Sequence, residues 1–241
     1  MSIFRSYRIK RLLGRLVSNS QSIRWQTQGR ILAKAAKEVR VTTNSALDVG
    51  CGGGTYAIEN HLRFGTRTTL SDYSSSLLEL ARAQVQNAGF ISASTFVQCS
   101  AENLPFEKEH FDFIQCLEVL EHLENPKAAL LEFRRVATQN ARLVISVPHP
   151  PEWFFNEGHL TEGFTAHELK KLVEESGWET VRIEYCFLII SRIVYLIINK
   201  FNILLPLNPL ITLENLVPHN LRPYLLPYDI VLTAKTKPFQ Q

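Results

Sequence analysis

From residue 45 to residue 147 short apolar runs alternate with helical patterns, and that alternation leaves few folds open. Strands buried on both faces need cover on both, which helices placed between consecutive parallel strands provide. The runs Ala46 to Val49, Thr68 to Ser71, Thr95 to Cys99, Phe111 to Cys116 and Arg142 to Val147 predict five strands. Tyr56 to Phe64, Ser75 to Ala88 and Pro126 to Val136 predict the helices between them. Pro126 suits a first helical turn, where its missing N–H would go unpaired anyway. Past an aromatic loop, Thr165 with Glu168 three residues on predicts a capped helix reaching Ser176, stopped by Gly177. Thr180 to Tyr185 and Tyr228 to Lys235 complete a seven-strand reading. The expected fold is therefore α/β: a doubly wound, seven-stranded, mostly parallel sheet with a helical insertion before the last strand.

The chain of 241 residues suits one such domain with accessory segments. We divide it into a basic helical arm at 1–40, a domain formed by 41–185 with 228–241, and a hydrophobic insertion or lid at 186–227. Charge supports the division. Residues 1–40 hold ten Lys or Arg against the single acid Glu38, whereas residues 41–241 hold sixteen basic and twenty-two acidic residues. No apolar run of seven follows Lys10 and Arg11, so the arm does not read as a secretory leader. Cys51, Cys99, Cys116 and Cys186 are dispersed without a CxxC pair, which points to reduced thiols and a cytoplasmic setting.

Chemistry concentrates where the first strand turns into the first helix. Leu47-Asp48-Val49-Gly50-Cys51-Gly52-Gly53-Gly54 occupies the crevice position at which open parallel sheets bind ligands. A nicotinamide dinucleotide is one reading of such a turn. Its fingerprint, however, wants a glycine where Thr55 stands, and Asp48 would repel a pyrophosphate. A cationic ligand suits that carboxylate better. Asp72, ending the second strand about twenty residues later, stands where an acid takes the two hydroxyls of an adenosine ribose.

In order, Asp48-x-Gly50-x-Gly52-x-Gly54, Asp72, Ser100-Ala101-Glu102-x-Leu104-Pro105-Phe106 and Glu118-x-x-Glu121-His122 resemble the class I, Rossmann-like S-adenosylmethionine-dependent methyltransferase family, from about Trp25 to Glu184. The resemblance implies methyl transfer from S-adenosyl-L-methionine to oxygen on a small or lipid-like acceptor, with transfer to nitrogen or carbon as close variants. It further implies that Asp48, Gly50, Cys51 and Gly52 face the methionine part, Asp72 the ribose, Ala101 and Glu102 the adenine edge, and Leu117 the cofactor's centre. Ser100 departs from the pattern, since many relatives carry an acid there.

Glu118, Glu121 and His122 also resemble the metal-binding Glu-x-x-Glu-His of ubiquinone-biosynthesis O-methyltransferases. If residues 118 to 123 are helical the three share one face, a divalent cation such as Mg²⁺ is implied, and His149 is a candidate further ligand. The plainer reading gives the segment structural and cofactor-adjacent roles. An acceptor hydroxyl must lose a proton, which makes His149 and His159, flanking the loop after the fifth strand, candidate general bases; a loop histidine is as readily structural. Trp153, Phe154 and Phe155 between them suit an apolar wall for the acceptor.

Phe187 to Ile198 is almost wholly apolar but too short to span a bilayer, so it reads as a lid on the acceptor pocket or as a flap dipping into one monolayer. Ile3, Phe4, Leu12, Leu13, Leu16 and Val17 interleave with Arg5, Arg8, Lys10, Arg11 and Arg15, a pattern that can lie on anionic lipid. Peripheral membrane contact is therefore open as a partner, while nucleic acid is not expected. Two other classes stand beside methyl transfer: an NAD-dependent oxidoreductase, and a cofactor-binding module without catalysis.

Overall fold

The computed structural model describes residues 28–29, 31–34, 45–151, 159–201 (backbone only from 198), 213–214 and 216–237. The amphipathic pattern at 3–17 and the aromatic triplet at 153–155 lie outside the described residues.

Seven strands form one sheet: β1 (Ala46–Val49), β2 (Thr68–Asp72), β3 (Ser94–Gln98), β4 (Phe111–Leu117), β5 (Ala137–Pro148), β6 (Trp178–Cys186) and β7 (Asp229–Thr236). Their spatial order is β3-β2-β1-β4-β5-β7-β6. The neighbours from β3 to β5 are parallel, while β7 runs antiparallel to both β5 and β6. This is the doubly wound, mostly parallel sheet read from the sequence. Helices α1 (Thr55–Phe64), α2 (Ser75–Ala88), α3 (Pro126–Val136), α4 (Ala166–Glu175) and α5 (Ile189–Phe201) connect the strands.

Local chemistry explains the helix limits. Ser74 and Asn125 cap α2 and α3 by accepting from the backbone N–H of Leu77 and Ala128. Thr165 and Glu168 form a reciprocal capping box at α4. The main core lies between α3, α4 and the β4, β5, β7 side of the sheet, with Phe133, Trp178 and Leu232 fully buried. Trp178 also donates its indole N–H to the Leu130 carbonyl at 3.3 Å, and truncating such a side chain to alanine costs about 3–5 kcal/mol.

Strand order reverses between β1 and β4, where chains leave the sheet in opposite directions and open a crevice at the carboxyl edge. Because β7 is antiparallel, its first residue joins that same edge: Asp229 pairs with Pro148 at the end of β5 and with Cys186 at the end of β6. Strand exits and one strand entry therefore converge on a single rim.

Candidate functional site

The glycine turn stands at the crevice in a conformation other residues resist. Gly50, Gly52 and Gly54 all have positive φ, and a Cβ on Gly50 would lie 2.3 Å from Val119 Cγ2. Two bonds fix the turn to β2: Cys51 N–H donates to the Ser71 carbonyl at 2.9 Å, and Gly52 N–H donates to Asp72 Oδ2 at 2.9 Å. Asp72 Oδ1 accepts from Ser74 N–H at 2.9 Å. One carboxylate thus braces both the glycine turn and the start of α2.

Asp48 is buried, and among the described residues its Oδ2 has no hydrogen-bond partner. Burial pushes its carboxyl up to about 7; the nearby Gln115 amide and Ala57 backbone pull it down, and the Asp72 charge pushes it further up. The negative charge read from the sequence is therefore only partly expressed at neutral pH until a cation arrives. Beside it, burial and the two aspartates drive the Cys51 thiol far above its ordinary range, so it stays a protonated wall.

The Ser100–Phe106 segment is held from α3. Arg135 donates to the Leu104 and Phe106 carbonyls at 2.8 and 2.7 Å, while Glu132 Oε2 accepts from Leu104 N–H at 2.8 Å. Ser100, the departure from the family pattern, uses its Oγ to accept from Glu102 N–H at 3.2 Å. Glu102 Oε1 in turn accepts from Asn125 N–H at 2.8 Å, and Ala101 is buried beneath the turn. Leu117 is buried at the end of β4.

The Glu118–His122 segment is not the helical face expected. Glu118 has φ of +59°, and Leu120–His122 is a single 3₁₀ turn, so Glu118 does not share a helical face with Glu121 and His122. Glu118 Oε1 accepts from Gln28 Nε2 at 2.9 Å and from Ser146 Oγ at 2.7 Å. What gathers instead is Glu121, His122 and His159, whose candidate ligand atoms all lie within 4.8 Å of one another. The two imidazoles meet edge to face at 4.7 Å, and Leu160 N–H donates to the Glu121 carbonyl, tying the loop to the turn. Neither Glu118 nor His149 joins this cluster; His159 does. Two imidazoles and one carboxylate suit a borderline divalent ion better than the oxygen-seeking Mg²⁺.

His149 lies elsewhere on the rim. Its backbone N–H donates to the Tyr228 carbonyl at 2.7 Å, and its ring meets Tyr185 at 5.7 Å. Burial holds its pKa below the ordinary histidine value; the Pro150 backbone works against this and the Arg192 charge with it. Arg192 is itself buried, its guanidinium over the Tyr228 ring at 5.2 Å and its Nη1 donating to the Leu226 carbonyl at 3.0 Å.

Sequence reasoning missed the polar network closing this side. Gln28 Nε2 donates to Glu118 and, at 3.0 Å, to Asp229 Oδ2, while Tyr56 OH donates to Gln28 Oε1 at 2.6 Å. An acid heading the apolar run Asp229-Ile-Val-Leu was a usable signal. Gln28 and Ser146 gave none.

Residues 47–145 match the family described as a methyltransferase domain. A ubiquinone/menaquinone biosynthesis C-methyltransferase of Xanthomonas oryzae pv. oryzae is 31% identical over 131 residues, covering 50% of this chain and 52% of that protein. The mitochondrial ubiquinone biosynthesis O-methyltransferase of Schizosaccharomyces pombe is 33% identical over 101 residues, 42% of this chain and 36% of the relative. The chain thus spans about half the length of the first relative and about a third of the second. A solved S-adenosylmethionine-dependent methyltransferase from Aquifex aeolicus superposes with a TM-score of 0.60 at 18% identity, covering 85% of this chain and 89% of that one. Residues 47–145 thus match the methyltransferase domain family, and the chain shares the fold of that solved enzyme.

Proposed function

We propose that the protein is a methyltransferase that binds S-adenosyl-L-methionine along the glycine turn and methylates oxygen on a small or lipid-linked acceptor. The observation that carries this reading is Asp48: a buried carboxylate at the glycine turn, one oxygen of which has no hydrogen-bond partner among the described residues. Bound there, S-adenosylmethionine would supply an electrophilic methyl group on sulfur. Asp48 with the Gly50–Gly52 backbone would hold its amino-acid part, Asp72 the ribose, Ala101 and Glu102 the adenine edge, and Leu117 its middle. Positioning and exclusion of water carry most of the rate in such a displacement.

The acceptor proton needs a base. His149 suits that role, because its lowered pKa keeps the imidazole unprotonated at neutral pH and it stands at the end of β5. Oxygen is favoured as acceptor atom by this proton sink and by the O-methyltransferase among the relatives, with carbon as the alternative that the other relative represents. A second reading concerns metal: Glu121, His122 and His159 would hold a divalent ion and help orient the acceptor. Calorimetric titration with S-adenosylhomocysteine and with NAD tests the cofactor. Binding of the first and not the second is expected, and the reverse ends the reading.

A further inference from the structure

Gln115 is a polar side chain where the sheet calls for an apolar one. Along β1 and β4 the side chains alternate between two buried faces. Leu47 and Val49, opposite Ile114 and Cys116, belong to the main core, whereas Ala46 and Phe113, opposite each other, belong to a smaller core with Leu117. On that second face the next register pair is Asp48 with Gln115, at 3% and 1% exposure. Strand parity thus sets a carboxylate and a carboxamide side by side in the interior.

Helix α1 decides which way the carboxamide faces. Asn60, itself buried, donates from Nδ2 to Gln115 Oε1 at 2.7 Å. With the carbonyl committed to α1, the planar amide directs its N–H edge elsewhere; the reverse setting would turn the carbonyl toward a carboxylate. Gln115 Nε2 and Asp48 Oδ2 are both buried, and among the described residues neither has a hydrogen-bond partner. They stand near enough for the amide to favour the Asp48 charge, yet no bond joins them. Each such atom costs stability and calls for a use.

The titratable neighbours of Asp48 supply no positive charge. Asp72 on β2 adds a like charge, burial holds the Cys51 and Cys116 thiols protonated, and Glu59 on α1 is paired with Arg63 at 3.3 Å. Burial works against ionisation of Asp48; the Gln115 amide is the largest influence in its favour, ahead of the Ala57 backbone on the same helix as Asn60.

We propose that Asn60 and Gln115 are positioning residues for the methyl donor: Asn60 locks the Gln115 amide, and the N–H edge of that amide supports the Asp48 charge on which the donor's ammonium rests. The assignment rests on the cofactor reading of Asp48, and it lets two neutral side chains set the pH at which the donor binds.

The test is calorimetric titration of the full chain with S-adenosylhomocysteine, which keeps the ammonium, from about pH 6 to about pH 8.5. Gln115→Met keeps the side-chain volume and removes the donor. It is expected to bind about tenfold more weakly than wild type at the acid end and within about twofold at the alkaline end, because the Asp48 midpoint moves up by about one unit. Asn60→Ala should act in the same direction by about threefold at the acid end, and in an Asp48→Asn background Gln115→Met should have no further effect. Carboxyl ¹³C NMR of the aspartate-labelled free chain, with Asp48→Asn locating the signal, reads the same midpoint without ligand; should Gln115→Met not fold, Asn60→Ala carries both measurements. A loss equal at every pH, as a packing defect would give, an Asp48 midpoint that neither variant moves, or an undiminished Gln115→Met effect in the Asp48→Asn background overturns the proposal. A wild type that retains no S-adenosylhomocysteine ends the cofactor reading instead, and the free-chain midpoint then decides separately whether Gln115 governs Asp48.

Discussion

The two halves of the rim are built by opposite means. On the β1–β2 side, backbone does the work: glycines at positive φ, N–H groups aimed at a carboxylate, and two acids with no basic partner among their bonds. On the β5–β7 side, side chains from distant segments do it, with Gln28, Glu118, Ser146 and Asp229 in one network and His149 and Arg192 beside it. On the proposed reading, the first half would serve one invariant cationic molecule. The second half is assembled piecewise and can be retuned one side chain at a time.

Replacing one residue in each half should therefore separate binding from turnover. The largest effect is expected from His149→Ala, which should lower kcat by about 10²–10⁴-fold while leaving the S-adenosylhomocysteine Kd within about twofold. A parallel loss of cofactor affinity would erase the distinction between the halves. Asp48→Asn should weaken S-adenosylmethionine binding by about 100-fold, read by calorimetry, because a buried partner to the ligand's positive charge is lost. The same change should raise the Tm of the free chain. An acid with a folded pKa near 7 and an ordinary value of 3.8 destabilises the fold progressively as pH rises between those values, by at most about 4 kcal/mol.

That shift also sets a pH dependence. S-adenosylmethionine favours the ionised carboxylate, so affinity should rise as pH climbs through about 7 and fall by up to about tenfold for each unit below it. Asp48→Asn should flatten the profile, and a slope that persists in the variant would place the titrating group elsewhere. The smallest effect is expected at the Glu121 cluster: chelation followed by readdition of Zn²⁺, Mn²⁺ or Mg²⁺ should alter kcat by about tenfold or less, with nitrogen-binding ions restoring more than Mg²⁺. Activity indifferent to chelation would leave Glu121, His122 and His159 as a loop anchor.

What could be read in the sequence follows the same line. Short-range rules wrote the capping box at Thr165 and Glu168, the Asn125-Pro126 helix start and the glycine turn, so these were legible. The start of β5 was not, because Thr138-Gln139-Asn140 shows no apolar alternation; Thr138 Oγ1 donates to Asp112 there, and Gln139 accepts from Thr236. Glu118 was misjudged for a similar reason. Its positive φ breaks the helix that Glu-x-x-Glu-His spacing suggests, and the bonds from Gln28 and Ser146 that occupy it span 90 and 28 residues. No local pattern announces contacts of that range.

The reversed last strand has a broader effect. Since Cys186 and Asp229 sit opposite each other on adjacent strands, the forty-odd residues between them depart and return through one doorway. Lengthening such an excursion costs only logarithmically in chain entropy and disturbs no ladder bond. A lineage can thus exchange this whole segment, and with it the acceptor that the proposed methyl transfer would serve, while the glycine turn is inherited untouched.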